Sequence, residues 1–519
     1  MLRFFFTVFA ISISICNGAN ILYIDGIPSP SHFIWHRSLI YGLAAKGHNV
    51  TALSVDVEKN PPPNVHFIHV EGVYEMLHED GHETTDYFEM SKYSTIEMLN
   101  MFNDYSLAGC EVSLKSKGLK QLLDYPDDFK FDVVIDDFLQ GPCMSAVARH
   151  KFKRPPFIAA TGFHGLSITT SLTGAYVYPG MTPNHEFDAP EEMSYVQRFK
   201  NFFISHYEEL ARSHHLIPAT DKIVREQFPE LPYVGEFEKD TQIVLLNSNP
   251  VIQYSEPSMP NLISVGGMQI KSPKELPANL KEVVDNAKNG AILFSLGSNV
   301  RSDLLGNRRI IAILNAMAQF PKYQFLWKFE SDSMPIEIPK NVLIQKWMPQ
   351  NDLLAHPNLK LFITHSGLLS TQETVWHGVP IIGFPVFADQ NRNINYCVKQ
   401  GVGIRLAIET VTTDVLVDAI RKVTTDKSYR ENMQRLSKLF RDQPEHPLDR
   451  AIWWVEWVLR NPDTRILQSN AMSLSWCVKY SFDVIIPLVL VVVAIAKLTI
   501  HLVTSVLCKK SDNRKHKRE

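Results

Sequence analysis

Short apolar, largely β-branched runs alternate along this chain with stretches whose apolar residues recur every three or four positions. Ile21-Leu-Tyr-Ile24 reads as a strand, followed by a Gly/Pro/Ser loop and a helix carrying Trp35, Leu39 and Leu43 at four-residue steps; Gly47 stops the helix before a strand over 50–55. That order is a βαβ unit. Further strands are predicted over 133–135 and 157–159, and a second alternating series over 291–295, 324–327, 342–345, 361–364, 380–384 and 403–406. Strands alternating with helices argue for parallel sheets flanked by helices. The long stretch 163–235 has aromatics and helical patches but weak periodicity. A proline-rich stretch with the pair Gly266-Gly267 separates the two series as a linker over 251–277. Near the end, Ser428 and Glu431 read as a capping box ahead of Met433, Leu436 and Phe440. The tryptophan-rich helix 452–459 (Trp453, Trp454, Trp457) suggests docking on another surface. The expected organisation is an N-terminal Rossmann-like domain over 20–250, a C-terminal one over 278–440, and helices over 441–483 that return to the first domain.

The two ends carry a different pattern. Met1-Leu-Arg3, the apolar run from Phe4 to Ile15 and the small residue Gly18 have the three parts of a secretory signal peptide over 1–19. Residues 484–507 are long enough to cross a membrane, although Lys497 and His501 interrupt the second half. The basic tail 508–519 satisfies the positive-inside bias, which predicts one membrane pass with the body lumenal and the tail cytosolic. Its last five residues, from Lys515 to Glu519, resemble the dilysine retrieval signals of endoplasmic-reticulum membrane proteins. Asn49-Val-Thr51 is an N-glycosylation sequon that abuts an expected buried strand, which argues against its use.

Composition narrows the class. With 519 residues, 45% of them hydrophobic, the chain holds two substantial cores, and a disordered protein is excluded. The formal net charge is -3, and residues 509–519 alone hold six Lys/Arg against two Asp/Glu. The body is therefore acidic, and nucleic acid is excluded as a partner. None of the six cysteines falls in a CxxC pair, so structural zinc lacks a ligand set; Cys110, Cys143, Cys397 and Cys477 could pair in an oxidising lumen, with the pairing open. His78-Glu-Asp-Gly-His82 spells HExxH, but Asp80 and Gly81 are poor helix interior. Gly401-Val-Gly403 is half a dinucleotide fingerprint, and the elbow GxSxG of serine hydrolases is absent because Leu293 stands where its first glycine would.

The most informative stretch runs through Trp347-Met-Pro-Gln350, His365-Ser-Gly367-Leu-Leu-Ser370-Thr-Gln-Glu373 and Gly383-Phe-Pro-Val-Phe-Ala-Asp389-Gln390. A strand delivers His365 into a small-residue turn and a helix opens at once, the arrangement of an anion site. By these motifs the protein resembles the membrane-anchored animal UDP-glycosyltransferases, a likeness that covers nearly the whole chain, and the Leu-Leu-Ser variant resembles their insect members. The resemblance implies a GT-B fold, an α/β architecture of two Rossmann-like domains facing across a cleft, plus a C-terminal transmembrane helix. It implies that Trp347 stacks on uracil, Gln350 bonds the nucleoside, and His365 and Ser298 reach the diphosphate. Backbone N–H groups from Ser366 through Gly367 to Ser370 would add to the diphosphate contacts. Glu373 would take the ribose hydroxyls, and Asp389 with Gln390 would hold the transferred sugar. Three positions depart from the family: Ser366 stands for a second glycine, Leu369 for a phosphate-binding asparagine, and Lys328 for an arginine common in vertebrate members.

On the acceptor side, His32 resembles the family's general base and Asp137 its partner. An alcohol or phenol must lose a proton as it attacks C1 of the sugar, and a neutral imidazole oriented by a carboxylate can take it. Strand alternation favours Asp137 over Asp136. The resemblance implies an inverting transfer of a hexose, glucose over glucuronic acid, from a UDP-sugar to a small lipophilic hydroxylated acceptor, with no cofactor and no metal. Aromatics in 87–105 and 157–207 would line the acceptor pocket. It implies an endoplasmic-reticulum membrane location and leaves a homo-oligomer open. Two other readings stand beside it: a transferase acting on a membrane lipid or protein, and a non-catalytic lumenal binding protein of the same fold.

Overall fold

The computed structural model describes residues 18–77, 87–165 and 167–515. The apolar leader, the His78–His82 stretch and the last four residues of the basic tail lie outside them. The chain forms two compact units, 1–468 and 469–519.

The first unit contains two fully parallel sheets. The first has β1 (Asn20–Asp25), β2 (Asn49–Ser54), β3 (Val65–His69), β4 (Val133–Asp137), β5 (Phe157–Thr161), β6 (Thr241–Leu246) and β7 (Leu262–Ser264), in the order β3-β2-β1-β4-β5-β6-β7. The second has β8 (Ala291–Ser295), β9 (Gln324–Lys328), β10 (Val342–Gln345), β11 (Leu359–Thr364), β12 (Ile381–Gly383) and β13 (Gly403–Arg405), in the order β10-β9-β8-β11-β12-β13. Strands such as β4 and β8 are buried at every position because helices cover both faces, which is why they read as unbroken apolar runs. Alternation then divides each strand between two cores: Leu22 and Ile24 of β1 enter one, Ile21 and Tyr23 the other.

The second of these cores is closed from both ends of the sequence. The helix Pro30–Ala45 lies on the first sheet, and Ala451, Ile452, Val455 and Val458 of the helix Pro447–Arg460 complete the same cluster. Gly42 permits this approach, since a Cβ there would lie 2.8 Å from Ile452. Trp454 and Trp457 pack against the cluster, whereas Trp453 is half exposed.

Four elements differ from the sequence reading. Strands β3 and β6 were not expected: two histidines interrupt the first, and the second offers only four apolar residues after a charged run. Strand β7, inside the expected 251–277 linker, extends the first sheet by three residues. The helix Lys427–Arg441 is capped by Asp426, which accepts from the Ser428 N–H at 2.9 Å, so the Ser428/Glu431 capping box does not form. Aspartate is as good a cap as serine, and Asp426 lies two residues earlier.

Cys110 and Cys143 form a disulfide, joining the helix Thr95–Leu114 to the start of the helix Met144–Lys151; Cys397 and Cys477 are free. In the second unit the helix Phe482–Lys515 carries the apolar stretch Phe482–Leu507, which at ~1.5 Å per residue is long enough to cross a membrane.

Candidate active site

In each sheet the strand order reverses at one point, between β1 and β4 in the first and between β8 and β11 in the second. Loops diverge there and leave a crevice at the carboxyl ends of the strands.

His32 stands on the first turn of the helix that follows β1, and Asp137 ends β4. His32 Nδ1 lies 2.9 Å from Asp137 Oδ2. Gly162 backs this imidazole and Phe163 meets its edge at 4.9 Å. Nε2 makes no hydrogen bond among the described residues and is the nitrogen left for chemistry. One helical turn on, His36 places Nε2 2.8 Å from the same Asp137 oxygen, while its Nδ1 meets the Tyr23 hydroxyl at 2.7 Å. The other oxygen, Oδ1, accepts the Leu139 N–H. Burial alone would raise the Asp137 pKa, but the bonds from His32 and His36 hold it well below the usual carboxylate range. Burial opposes a charge on His36, yet Asp25 and Asp137 raise its pKa above the ordinary histidine value. Asp25, buried with neither oxygen hydrogen-bonded among the described residues, is pushed up to about 6, first by burial. Asp136 belongs to another environment, near Ser145 and Arg149, and its pKa is raised strongly by burial.

The sequence reading missed His36; its signal is the i, i+4 spacing from His32, which sets both rings on one helix face. His32, His36 and Asp137 also hold ligand-type atoms within 4.8 Å of one another. Both rings are committed to one carboxylate oxygen at hydrogen-bond length, so the trio as arranged holds protons.

Across the crevice, His365 lies between two glycines. A Cβ at Gly297 or at Gly367 would approach its ring to 2.4 Å. Burial and the ammonium of Lys328, which donates to Gly297 O at 2.9 Å, lower the His365 pKa to about 4. This imidazole is therefore neutral at physiological pH and offers one N–H. The helix Leu368–His377 opens at Gly367 with no side-chain cap, leaving its first N–H groups for an anion. Ser366 sits buried at φ +67° with its hydroxyl unpaired among the described residues. Ser366→Gly is expected to stabilise the protein by about 1 kcal/mol by relieving left-handed strain, read as a higher midpoint in urea unfolding.

Gln350 donates to Glu373 Oε2 at 2.8 Å and to Ser370 Oγ at 3.1 Å. Burial, with Asp352 adding to it, pushes the Glu373 carboxyl up to about 7. Trp347, 64% exposed, stands at the mouth. Gln390 Oε1 accepts from the Val386 and Phe387 N–H groups, which leaves its NH2 end available. Asp389 accepts from Asn393 at 3.1 Å and is pushed up to about 6 by burial, against the pull of Asn393, His32 and Arg392. The influence of His32 on Asp389 crosses the crevice. Asn393, also missed, donates to Ser366 O at 3.0 Å as well and so ties the His365 loop to the Asp389 loop.

A single cavity of about 490 Å³ takes in His32, Ser298, Trp347, Gln350, His365, Gly367, Ser370, Glu373, Asp389 and Gln390, while Asp137 stands behind His32. The halves are joined beside it by Asn299 to Ser29 at 3.0 Å and by Gln372 to Asn247 at 2.9 Å. Met90, Leu99, Phe102, Phe163 and Ile168 form its apolar wall. The expectation that aromatics throughout 157–207 line this wall is corrected: Tyr195, Phe199, Phe202 and Phe203 point outward into solvent. Their helix buries a polar face instead, because Asn201 and Glu208 hold the loop beneath it.

Known proteins match this chain. A family model described as UDP-glucoronosyl and UDP-glucosyl transferase matches residues 27–518. A protein named UDP-glucosyltransferase 2 from Dactylopius coccus is 32% identical, covering 92% of this chain and 91% of its own. UDP-glucuronosyltransferase 2B33 from Macaca mulatta is 29% identical over 88% of this chain and 87% of its own. Among solved structures, the glycotransferase of kitacinnamycin superposes with a TM-score of 0.56 at 18% identity, covering 85% of this chain and 99% of that one. Spinosyn forosaminyltransferase SpnP gives 0.54 at 18% identity over 85% of this chain and all of its own. These two likenesses show the GT-B fold.

Proposed function

Since the chain belongs to the UDP-glucuronosyl and UDP-glucosyl transferase family and is a UDP-glycosyltransferase, we propose that it transfers glucose from UDP-glucose, with inversion, to a hydroxyl of small lipophilic acceptors such as phenolics, steroids or xenobiotics. The observation that carries this reading is the single cavity in which the unengaged nitrogen of His32 shares space with Asp389, Gln390 and the open helix N-terminus beside His365. Uracil would stack on Trp347 at the mouth and the ribose would bond Glu373 and Gln350. The diphosphate would meet Ser298, the N–H of His365 and the N–H groups from Gly367 to Ser370. The sugar would rest on Asp389 and Gln390.

The chemistry follows from these places. His32 Nε2 takes the acceptor proton, and the imidazolium so formed is steadied by the Asp137 carboxylate. The new C–O bond forms on the face of C1 opposite the breaking bond to UDP, which gives a β-glucoside. Charge developing on the departing diphosphate falls on the helix N-terminus and neutral His365. No metal or cofactor is assigned a part.

The choice of glucose has electrostatic support. Glu186 lines the cavity, and its pKa is raised well above the carboxylate range by burial and then by Asp389 and Glu208. The same burial that keeps Glu186 protonated disfavours further negative charge beside it, so a uronate carboxylate would carry a desolvation cost that neutral glucose avoids. With UDP-glucose, UDP-galactose and UDP-glucuronate offered separately against a panel of phenols and steroids, UDP-glucose is expected to give the highest kcat/KM. A clear preference for UDP-glucuronate would overturn the donor assignment. Turnover only with lipid or polypeptide acceptors would overturn the acceptor class, and UDP binding without any turnover would favour a binding protein.

The Cys110–Cys143 disulfide supports an oxidising compartment. With the basic tail and the apolar helix Phe482–Leu507, it supports a single-pass endoplasmic-reticulum membrane protein whose body is lumenal.

A further inference from the structure

The helix Tyr195–Ala211 is inside-out. A helix on the surface of a soluble body turns its apolar stripe inward and its polar face to water. Here the inward face is Asn201, Ser205 and Glu208, all buried, with Ile204 between them. Asn201 donates to Pro179 O and Thr182 O at 2.8 Å each and accepts the Asn184 N–H at 2.7 Å; Glu208 accepts from Asn184 at 2.6 Å. The outward face carries Tyr195, 73% exposed, with Val196, Phe199, Phe202, Phe203, 57% exposed, and Leu210. The rings touch one another, Phe199 against Phe203 at 4.9 Å and Phe202 against Phe203 at 5.4 Å, so the patch is continuous. The polar inner bonds fix the helix in this orientation; rolling the aromatics inward would break them.

We infer that this face seats the body on a lipid bilayer. An aromatic stripe of this length facing water marks a surface that meets an apolar medium. The same chain carries a helix long enough to cross a bilayer, so a membrane lies beside the body wherever that helix is inserted. Phe and Tyr suit an interfacial helix, with rings at the acyl boundary and the tyrosine hydroxyl kept wet. Arg198 and Lys200 balance Glu208 and Glu209 within the helix, so its attachment rests on apolar area and holds on neutral lipid. The inner side of this helix also reaches the cavity through Glu208, and Leu216 lies on the cavity wall just beyond it. The bilayer contact therefore stands one helix away from the acceptor side, where lipophilic compounds dissolved in the membrane are concentrated.

The test uses the full chain, one molecule per phosphatidylcholine nanodisc containing lipids with photoactivatable acyl chains. Residues 195–211 are expected to take up label about tenfold above the segment 412–441, which bears the exposed Val415 and Leu439, as expected for rings lying within the interface. Labelling at the level of that control segment, with Phe482–Leu507 labelled normally, overturns the inference. So does labelling of 195–211 that appears only when two chains share a disc, because the face would then belong to a second copy. The double variant Phe199→Asp with Phe203→Asp should lose most of the label from this segment and keep UDP binding; undiminished label overturns the inference. Should the variant fail to bind UDP, the wild-type labelling decides alone.

Discussion

Replacing His32 by alanine is expected to lower kcat about 10²- to 10⁴-fold, the range for losing a positioned general base, while UDP affinity stays within about twofold. The reasoning is spatial. His32 belongs to the lobe built on the first sheet, its Nδ1 is bonded to Asp137, and among the described residues no group assigned to the nucleotide is hydrogen-bonded to it. The measurement pairs turnover of a phenol with calorimetric titration of UDP. A collapse of UDP affinity alongside kcat would show that the ring supports the donor site, and the base assignment would fall. His36 sharpens the expectation, because with His32 gone Asp137 still holds one imidazole at 2.8 Å and remains satisfied, so loss of rate would not reflect a stranded buried carboxylate.

Glu373→Ala should do the reverse. A bidentate carboxylate contact to two hydroxyls contributes on the order of 1.5 to 3 kcal/mol, so the UDP dissociation constant should rise roughly 10- to 150-fold. The pH dependence identifies the group. Its folded pKa is about 7 because burial disfavours the charge. Ribose hydroxyls donate to the ionised form and favour it, so UDP binding expels a proton. Affinity in the wild type should therefore fall more steeply as pH drops from 8 to 6 than it does in Glu373→Ala, where only the titration of the UDP terminal phosphate and of other groups remains. For folding the sign is opposite: a carboxyl with a raised folded pKa costs stability above that pKa, so Glu373→Gln should stabilise the unliganded protein most at alkaline pH. An unchanged UDP constant, or a pH slope as steep in the variant as in the wild type, would remove Glu373 from the ribose site.

How much of this was legible in the sequence depends on whether a residue acts through a local pattern. Strands buried on both faces and helices with a four-residue apolar step showed themselves, and so did His365 and Glu373, whose eight-residue spacing is set by one turn and the helix after it. Strands β3 and β6 did not, since their burial comes from neighbours distant in the sequence and their composition is mixed. His36 and Asn393 were missed because each acts by bridging: His36 joins β1 to β4 through Tyr23 and Asp137, and Asn393 joins two loops of the second sheet. The aromatics of 195–207 were placed on the wrong side because hydrophobicity predicts burial, whereas their orientation is decided by hydrogen bonds that Asn201 and Glu208 make to a loop with no pattern of its own.

The helix Pro447–Arg460 sets an order on how this molecule is made. Ile452, Val455 and Val458 cover the helix that carries His32, so the N-terminal lobe leaves the ribosome with a bare greasy flank. At ~5–20 residues per second, about 190 further codons must be read before its lid arrives, an interval on the order of ten to forty seconds in which that flank stays uncovered. A premature stop after the second sheet would spare every donor-side residue and still leave the nascent N-terminal lobe unable to mature.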